Sequence, residues 1–227
     1  TSSPPPTATP PATATPPPSA TPTPELPPTP ACGCVGDTQT FYWGDTITED
    51  CALNGDLSYY YTCFTVGTDN ITIDGNGYTI TCLERDNNSY GIHLDGRSNV
   101  TIRDIGIEEF NYGIRAADCE YIEILDSAII DNKWWNGIYF IDTTDGTISG
   151  NTLEGNGLRT GGEAITFLRS SFNMITGNTI DDNGTGIYLL NSSEDNTVTG
   201  NTVTNNDRDG IYIADSDSNI LTSNTFC

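Results

Sequence analysis

Cations, prolines beyond the first thirty residues and long apolar runs are what this sequence lacks. Eight basic residues, of which Lys133 is the single lysine, face 31 acidic ones, for a net charge of −23. Such a chain repels nucleic acid and anionic bilayers, so neither is an expected partner. No apolar run reaches the roughly 18 residues of a membrane-spanning helix, which argues against membrane insertion, and nothing resembles a signal peptide. There is one histidine, His93, and one methionine, Met174. No EF-hand or glycine-rich nonapeptide spacing is present, so calcium stays possible without a motif to hold it; no other cofactor or metal is expected. The chain starts at Thr1 rather than Met, which reads as a processed product or an excised fragment.

All 13 prolines lie within residues 1–30, together with eight threonines and three serines. Proline fixes φ and removes donors, so this segment is expected to run as an extended polyproline II tail. Its Thr-Pro composition is that of O-glycosylated stalks, with Thr7, Thr9, Thr13, Thr15, Thr21 and Thr23 as acceptors. Asn70, Asn87, Asn99 and Asn191 head N-glycosylation sequons; a fifth, at Asn183, falls in a turn column described below. Asn87, in a loop insertion, is the preferred acceptor.

Seven cysteines are many for a reducing compartment. Cys32, Cys34, Cys51, Cys63 and Cys82 cluster early, where a cap is expected at residues 31–62. They and Cys227 are the disulfide candidates, with connectivity open. Seven is odd, so at least one thiol is left over or bridges to another chain.

Residues 63–227 repeat every 22–29 positions. A small-plus-apolar anchor recurs at Cys63-Phe64, Gly91-Ile92, Gly113-Ile114, Gly137-Ile138, Ala164-Ile165, Gly186-Ile187 and Gly210-Ile211. A second anchor is Ile73, Ile102, Ile124, Ile148, Ile175, Val198 and Leu221. A third is Tyr78, Ile107, Ile129, Leu153, Ile180, Val203 and Phe226. Three short strands per unit, none able to bury its apolar face alone, make an all-β fold. The fold expected is a right-handed single-stranded parallel β-helix (a solenoid) of about seven coils. Asparagines three residues past the second anchor (76, 151, 178, 201, 224) and past the third (132, 156, 183, 206) would stack at ~4.8 Å and bond from coil to coil.

The phrases Gly-Asn-Thr-Ile/Leu/Val at 150–153, 177–180 and 200–203, alternating with Gly-Ile-Tyr at 137–139, 186–188 and 210–212, resemble β-helix repeats of the CASH type. That group includes NosD-like periplasmic proteins, polysaccharide-active enzymes and prokaryotic, in particular archaeal, surface proteins. The resemblance implies an extracellular or cell-surface location and says little about activity.

Polygalacturonase-like hydrolases of this fold carry an Asp-Asp pair, a Gly-His-Gly and an Arg-x-Lys. Here Asp181-Asp182 is present but His93 lies coils away, and no proline is left for the Asp-Pro-His of epimerase-like members. His93, Arg115 and Asp95 form the best catalytic trio, a weak one, and no catalytic residue is assigned. The outward column Thr65, His93, Arg115, Tyr139, Thr166, Tyr188, Tyr212 and its neighbour Asp95, Ala117, Ile141, Leu168, Leu190, Ala214 read as a binding face. The preceding turn carries the insertions, including Lys133, Trp134 and Trp135, and half of the basic residues: Arg85, Lys133, Arg159 and Arg208. Either these loops fold over the stripe, or it receives a glycan or a polyproline segment.

Two functions follow. The first is a glycosylated structural subunit whose core column, open at Phe226, stacks head to tail on copies of itself, with Cys227 meeting Cys32 or Cys34 of a neighbour. The alternative is a carbohydrate-binding or polysaccharide-degrading module tethered by the tail.

Overall fold

A computed structural model describes residues 32–84 and 89–227, together with Ser3. The tail acceptors Thr7 to Thr23, and Asn87 and Arg85, lie outside the described residues. Cys32–Cys227 is one compact unit. Among the described residues there is no helix, and the strands form three sheets of ten, eight and eight strands. The first sheet runs from the antiparallel strands Cys34–Gly36 and Thr40–Phe41 through Ile71–Asp74 to Ile220–Thr222. The second runs from Leu57–Tyr60 to Thr225–Phe226, and the third from Thr46–Ile47 to Ile211–Ala214. Each sheet takes one strand per coil in parallel register, which is the expected parallel β-helix.

The apolar columns pair as the sequence spacing implies. Ile92, Ile114, Ile138, Ile165, Ile187 and Ile211 are consecutive partners in the third sheet. Ile73, Ile102, Ile124, Ile148, Ile175, Val198 and Leu221 are partners in the first. Nearly all are fully buried, each side chain contributing on the order of 1.5–3 kcal/mol of transfer free energy. Inside, the rings of Phe140 and Phe167 stack at 5.2 Å.

Two expectations need correction. Ile80, not Tyr78, pairs with Ile107, because the turn at Gly75–Tyr78 is two residues longer than its later counterparts. The segment 31–62 also divides: Cys34–Phe41 forms an antiparallel cap, whereas Thr46–Tyr60 is already a coil. Ile47 pairs with Val66, Cys51 with Ile73 and Leu57 with Ile80, which brings the third sheet to eight coils. This coil was hidden because it lacks the Gly-Asn corner and carries Cys51 where later coils carry isoleucine.

Corners hold the coils together. Asn151 Nδ2 donates to Asn178 Oδ1 at 3.0 Å, Asn178 to Asn201 at 3.0 Å and Asn201 to Asn224 at 2.9 Å. A second ladder joins Asn132, Asn156, Asn183 and Asn206. A third, Asn173–Asn196–Asn219, was not anticipated from sequence, although asparagine stands two residues before Ile175, Val198 and Leu221. Upstream the first ladder changes chemistry. Ser127 N–H donates to Asn151 Oδ1, Ile105 takes the position before it, and Asn76 instead reaches Leu53 O at 3.4 Å. Corner residues turn through the left-handed region, as Gly96, Asp118, Asp142, Arg169, Asn191 and Asp215 do in successive coils at φ 48–61°.

Cys34 and Cys51 form the disulfide that ties the cap to the first coil. The other candidates do not join it. Cys32 and Cys227 are exposed thiols, and Cys63 and Cys82 are buried ones. Burial and the neighbouring Cys82 push the Cys63 thiol well up, so it stays protonated. Cys34 is occupied by Cys51, so it has no thiol to offer Cys227 of another copy.

Candidate functional site

Strand alternation sends Ile92, Ile114, Ile138, Ile165 and Ile187 inward and the residue after each outward. The third sheet therefore presents His93, Arg115, Tyr139, Thr166, Tyr188 and Tyr212 in one column, in register from coil to coil. Of the expected binding residues, Arg115, Tyr139, Tyr188 and Tyr212 share this column, whereas Lys133, Trp134 and Trp135 lie in the insertion before the strand Ile138–Ile141. A flanking column, three residues upstream, holds Tyr90 and Tyr112, which are paired in register, and Asn136 and Glu163. Sequence reasoning missed these two tyrosines, although Tyr-Gly-Ile occurs at 90–92 and again at 112–114.

The aromatic rings form a pile along the solenoid axis. Tyr90 stacks on Tyr112 at 5.4 Å, Tyr112 on Tyr139 at 5.7 Å and on Trp135 at 6.3 Å, with interplanar angles of 26° or less. His93 lies on Tyr90 at 4.7 Å. The tyrosine ring faces are therefore used on one another, and the three side chains are half-buried. Open aromatic surface is offered instead by Trp135, 44% exposed, and by Tyr212, 42% exposed and tilted against Tyr188 at 4.9 Å.

The insertions fold partly over the face. Arg159 N–H donates to Lys133 O, and the Arg159 guanidinium sits 5.5 Å above the Trp134 ring. Arg208 Nη1 donates to Gly161 O at 3.0 Å, fastening the loop to the last coil. Beneath it, the buried Trp134 Nε1 meets no acceptor among the described residues. Within the insertion, Trp134 lies under Arg159, whereas Trp135 stays open.

Charge is set by neighbours. Arg115 Nη1 is 2.9 Å from His93 Nε2. A guanidinium only donates, so Nε2 accepts and the imidazole carries its proton on Nδ1. Burial, then Arg115, push the His93 pKa down, with Asp95 opposing. His93 thus orients Arg115, and its Nε2 is engaged by that guanidinium. Burial and the neighbouring tyrosines push Tyr112 up to about 12, so its phenol is a neutral donor. Burial also raises Tyr139 and Tyr188. Glu163 accepts from Asn136 Nδ2 at 2.7 Å and from Thr166 Oγ1 at 3.0 Å, yet burial holds its carboxyl above the ordinary value.

Other candidates lie elsewhere. Asp181 is in the second sheet, bonded to Thr204 and Asn205, away from His93. Lys133 is paired with Asp131 at 3.1 Å. Asn70 and Asn99 are exposed and bonded to each other at 2.9 Å. Asn191 is exposed, but its sequon Ser193 is fully buried, and Asn183 is sealed in its ladder.

Residues 48–227 match the family described as "Periplasmic copper-binding protein (NosD)". No curated protein matches the sequence. Among solved structures, the chain is similar to the periplasmic alginate epimerase AlgG, with a TM-score of 0.53 and 12% identity over 76% of this chain and 49% of that one. It is also similar to the Azotobacter vinelandii mannuronan C-5 epimerase AlgE6 A-module, with a TM-score of 0.50 and 13% identity over 78% and 57%. The chain spans about half the length of these structures, and at such identity the likeness is one of fold.

Proposed function

The chain belongs to the NosD family, a periplasmic one, and from that premise we propose that it holds a polysaccharide chain along the outward face of its third sheet. The observation that carries this reading is the continuous aromatic row from Tyr90 to Tyr139, flanked by the open rings of Trp135 and Tyr212. Exposed rings stack on the apolar faces of sugars, and the phenol edges between them supply hydrogen bonds to hydroxyls. The Cys34–Cys51 disulfide suits an oxidising compartment. That structures of this shape include one epimerase named for alginate and one for mannuronan supports a glycan as the ligand class, without assigning chemistry to this chain.

Copper, the metal in the family's description, does not fit the residues present. Copper sites draw on clustered histidine, cysteine and methionine. Among the described residues no three of His, Cys, Asp or Glu converge. His93 Nε2 already faces a guanidinium, Cys63 and Cys119 are buried thiols, and Met174 lies in the first sheet.

Head-to-tail stacking draws on the exposed Ile220, Leu221 and Phe226 and on the exposed Cys32 and Cys227 thiols, and leaves the aromatic row without a role. Glycan binding accounts for that row. Affinity electrophoresis against a panel of polysaccharides tests it. Retardation by at least one polymer, abolished in Trp135→Ala/Tyr212→Ala, is expected; retardation by none would overturn it.

A further inference from the structure

Seven basic side chains lie among the described residues, and they fall into two groups. Arg97, Arg103, Lys133 and Arg169 are each paired with an aspartate: Asp69, Asp74, Asp131 and Asp142. Arg115, Arg159 and Arg208 have no such carboxylate partner among the described residues. Their contacts are an imidazole nitrogen, an indole face and a backbone carbonyl. On a chain with 31 acidic residues, a guanidinium without a carboxylate is the exception. All three exceptions sit on or beside the aromatic face.

Their spacing is informative. Arg115 is in the strand Tyr112–Ala117, and Arg208 precedes the strand Ile211–Ala214, four coils later. Four steps of ~4.8 Å place them about 19 Å apart along the solenoid. Arg159, above Trp134, enters from the loop between them. The Tyr112 phenol stays protonated throughout the physiological range and is a neutral donor. Two carboxylates share the face: the exposed Asp95 beside His93, and the half-buried Glu163, which Asn136 and Thr166 engage and which feels the Arg208 charge without pairing with it.

We propose that the polysaccharide held on this face is an acidic one, a uronate polymer whose successive carboxylates are received by Arg115, Arg159 and Arg208. The inference rests on the glycan-binding reading and narrows it. Planar guanidinium groups bind carboxylates bidentately, which a neutral glycan cannot exploit. The separation of the three cations selects a polymer over a single sugar acid. The acidic remainder of the surface restricts a polyanion to this face, since unscreened repulsion acts everywhere else within a Debye length of about 8 Å.

The test is an array of uronans, each beside its carboxyl-reduced form, probed with the wild-type chain and with Arg208→Ala and Arg115→Ala. At least one uronan is expected to bind about tenfold or more tighter than its reduced partner, and each substitution to weaken that binding about tenfold, the scale of one charged hydrogen-bonded contact. Arg208 is exposed but holds Gly161 O, so Arg208→Lys, which keeps a donor there and removes the bidentate fork, is run beside Arg208→Ala and is expected to weaken binding as well. Equal binding of both members of every pair would overturn the acidic inference while leaving glycan binding intact. Unchanged affinity in every variant would overturn the assignment to these arginines. Binding to no member of any pair would overturn both.

Discussion

The corners of this solenoid and the outward face of its third sheet are built from the same coils by opposite rules. At these corners each coil repeats the last: Asn151, Asn178 and Asn201 each donate to the asparagine of the next coil and to the carbonyl of the coil behind. On the face the residue changes at most steps, and His93, Arg115, Tyr139, Thr166 and Tyr188 follow one another in register before Tyr212 repeats the last of them. Repetition satisfies buried polar groups, because an amide can both give to and receive from an identical neighbour. Variation costs the fold little where side chains face water, so a face can be shaped for a ligand while the corners are not.

This contrast breaks most visibly at a ladder. Asn178 Oδ1 accepts from Asn151 N and Nδ2, and its own amide donates to Ile148 O and Asn201 Oδ1. Asn178→Ala strands these buried groups at about 1–3 kcal/mol each, less whatever water recovers, so a loss of about 3 kcal/mol or more is expected in chemical denaturation. A loss below about 1 kcal/mol would mean that the ladders are incidental. Breaking the Cys34–Cys51 bond, which spans 17 residues, should cost about 3 kcal/mol or somewhat less and should loosen the cap before the later coils. Hydrogen exchange resolved by residue would show that order.

The effect of Glu163 is smaller and depends on pH. Burial raises its folded-state pKa above the ordinary 4.5. The folded chain thus holds this proton more tightly than the unfolded one. The resulting stability is full below pH 4.5 and is lost as pH rises through the folded value. Glu163→Gln keeps an acceptor for Asn136 and Thr166 and should flatten that slope in melting temperature against pH; an unchanged slope would count against the burial argument. Least of all, Trp135→Ala should cost about 1 kcal/mol or less, since Trp135 is partly exposed and, among the described residues, stacks on Tyr112 alone.

The same contrast explains what could be read from sequence. The three apolar columns and two Asn ladders are repetitive, so spacing alone placed Ile102, Ile124, Ile148 and their partners in register. The third ladder was equally legible at Asn173, Asn196 and Asn219. Spacing failed where the repeat is irregular: at Tyr78, after a longer turn, and in the coil of Ile47, Cys51 and Leu57. On the face, the column order was legible and the contacts were not. Nothing in the sequence says that Tyr90, Tyr112 and Tyr139 spend their ring faces on each other, that Arg115 ties up His93 Nε2, or that Arg208 holds Gly161. Those depend on how side chains one and two coils apart meet in space.

The central claim is that the varied face binds a glycan and the repeated corners do not take part. Polysaccharide binding and thermal unfolding, measured on the same samples of wild type and Trp135→Ala/Tyr212→Ala, test it most directly. Lost binding with a largely unchanged unfolding transition is the predicted result. Undiminished binding in the double variant would contradict the claim.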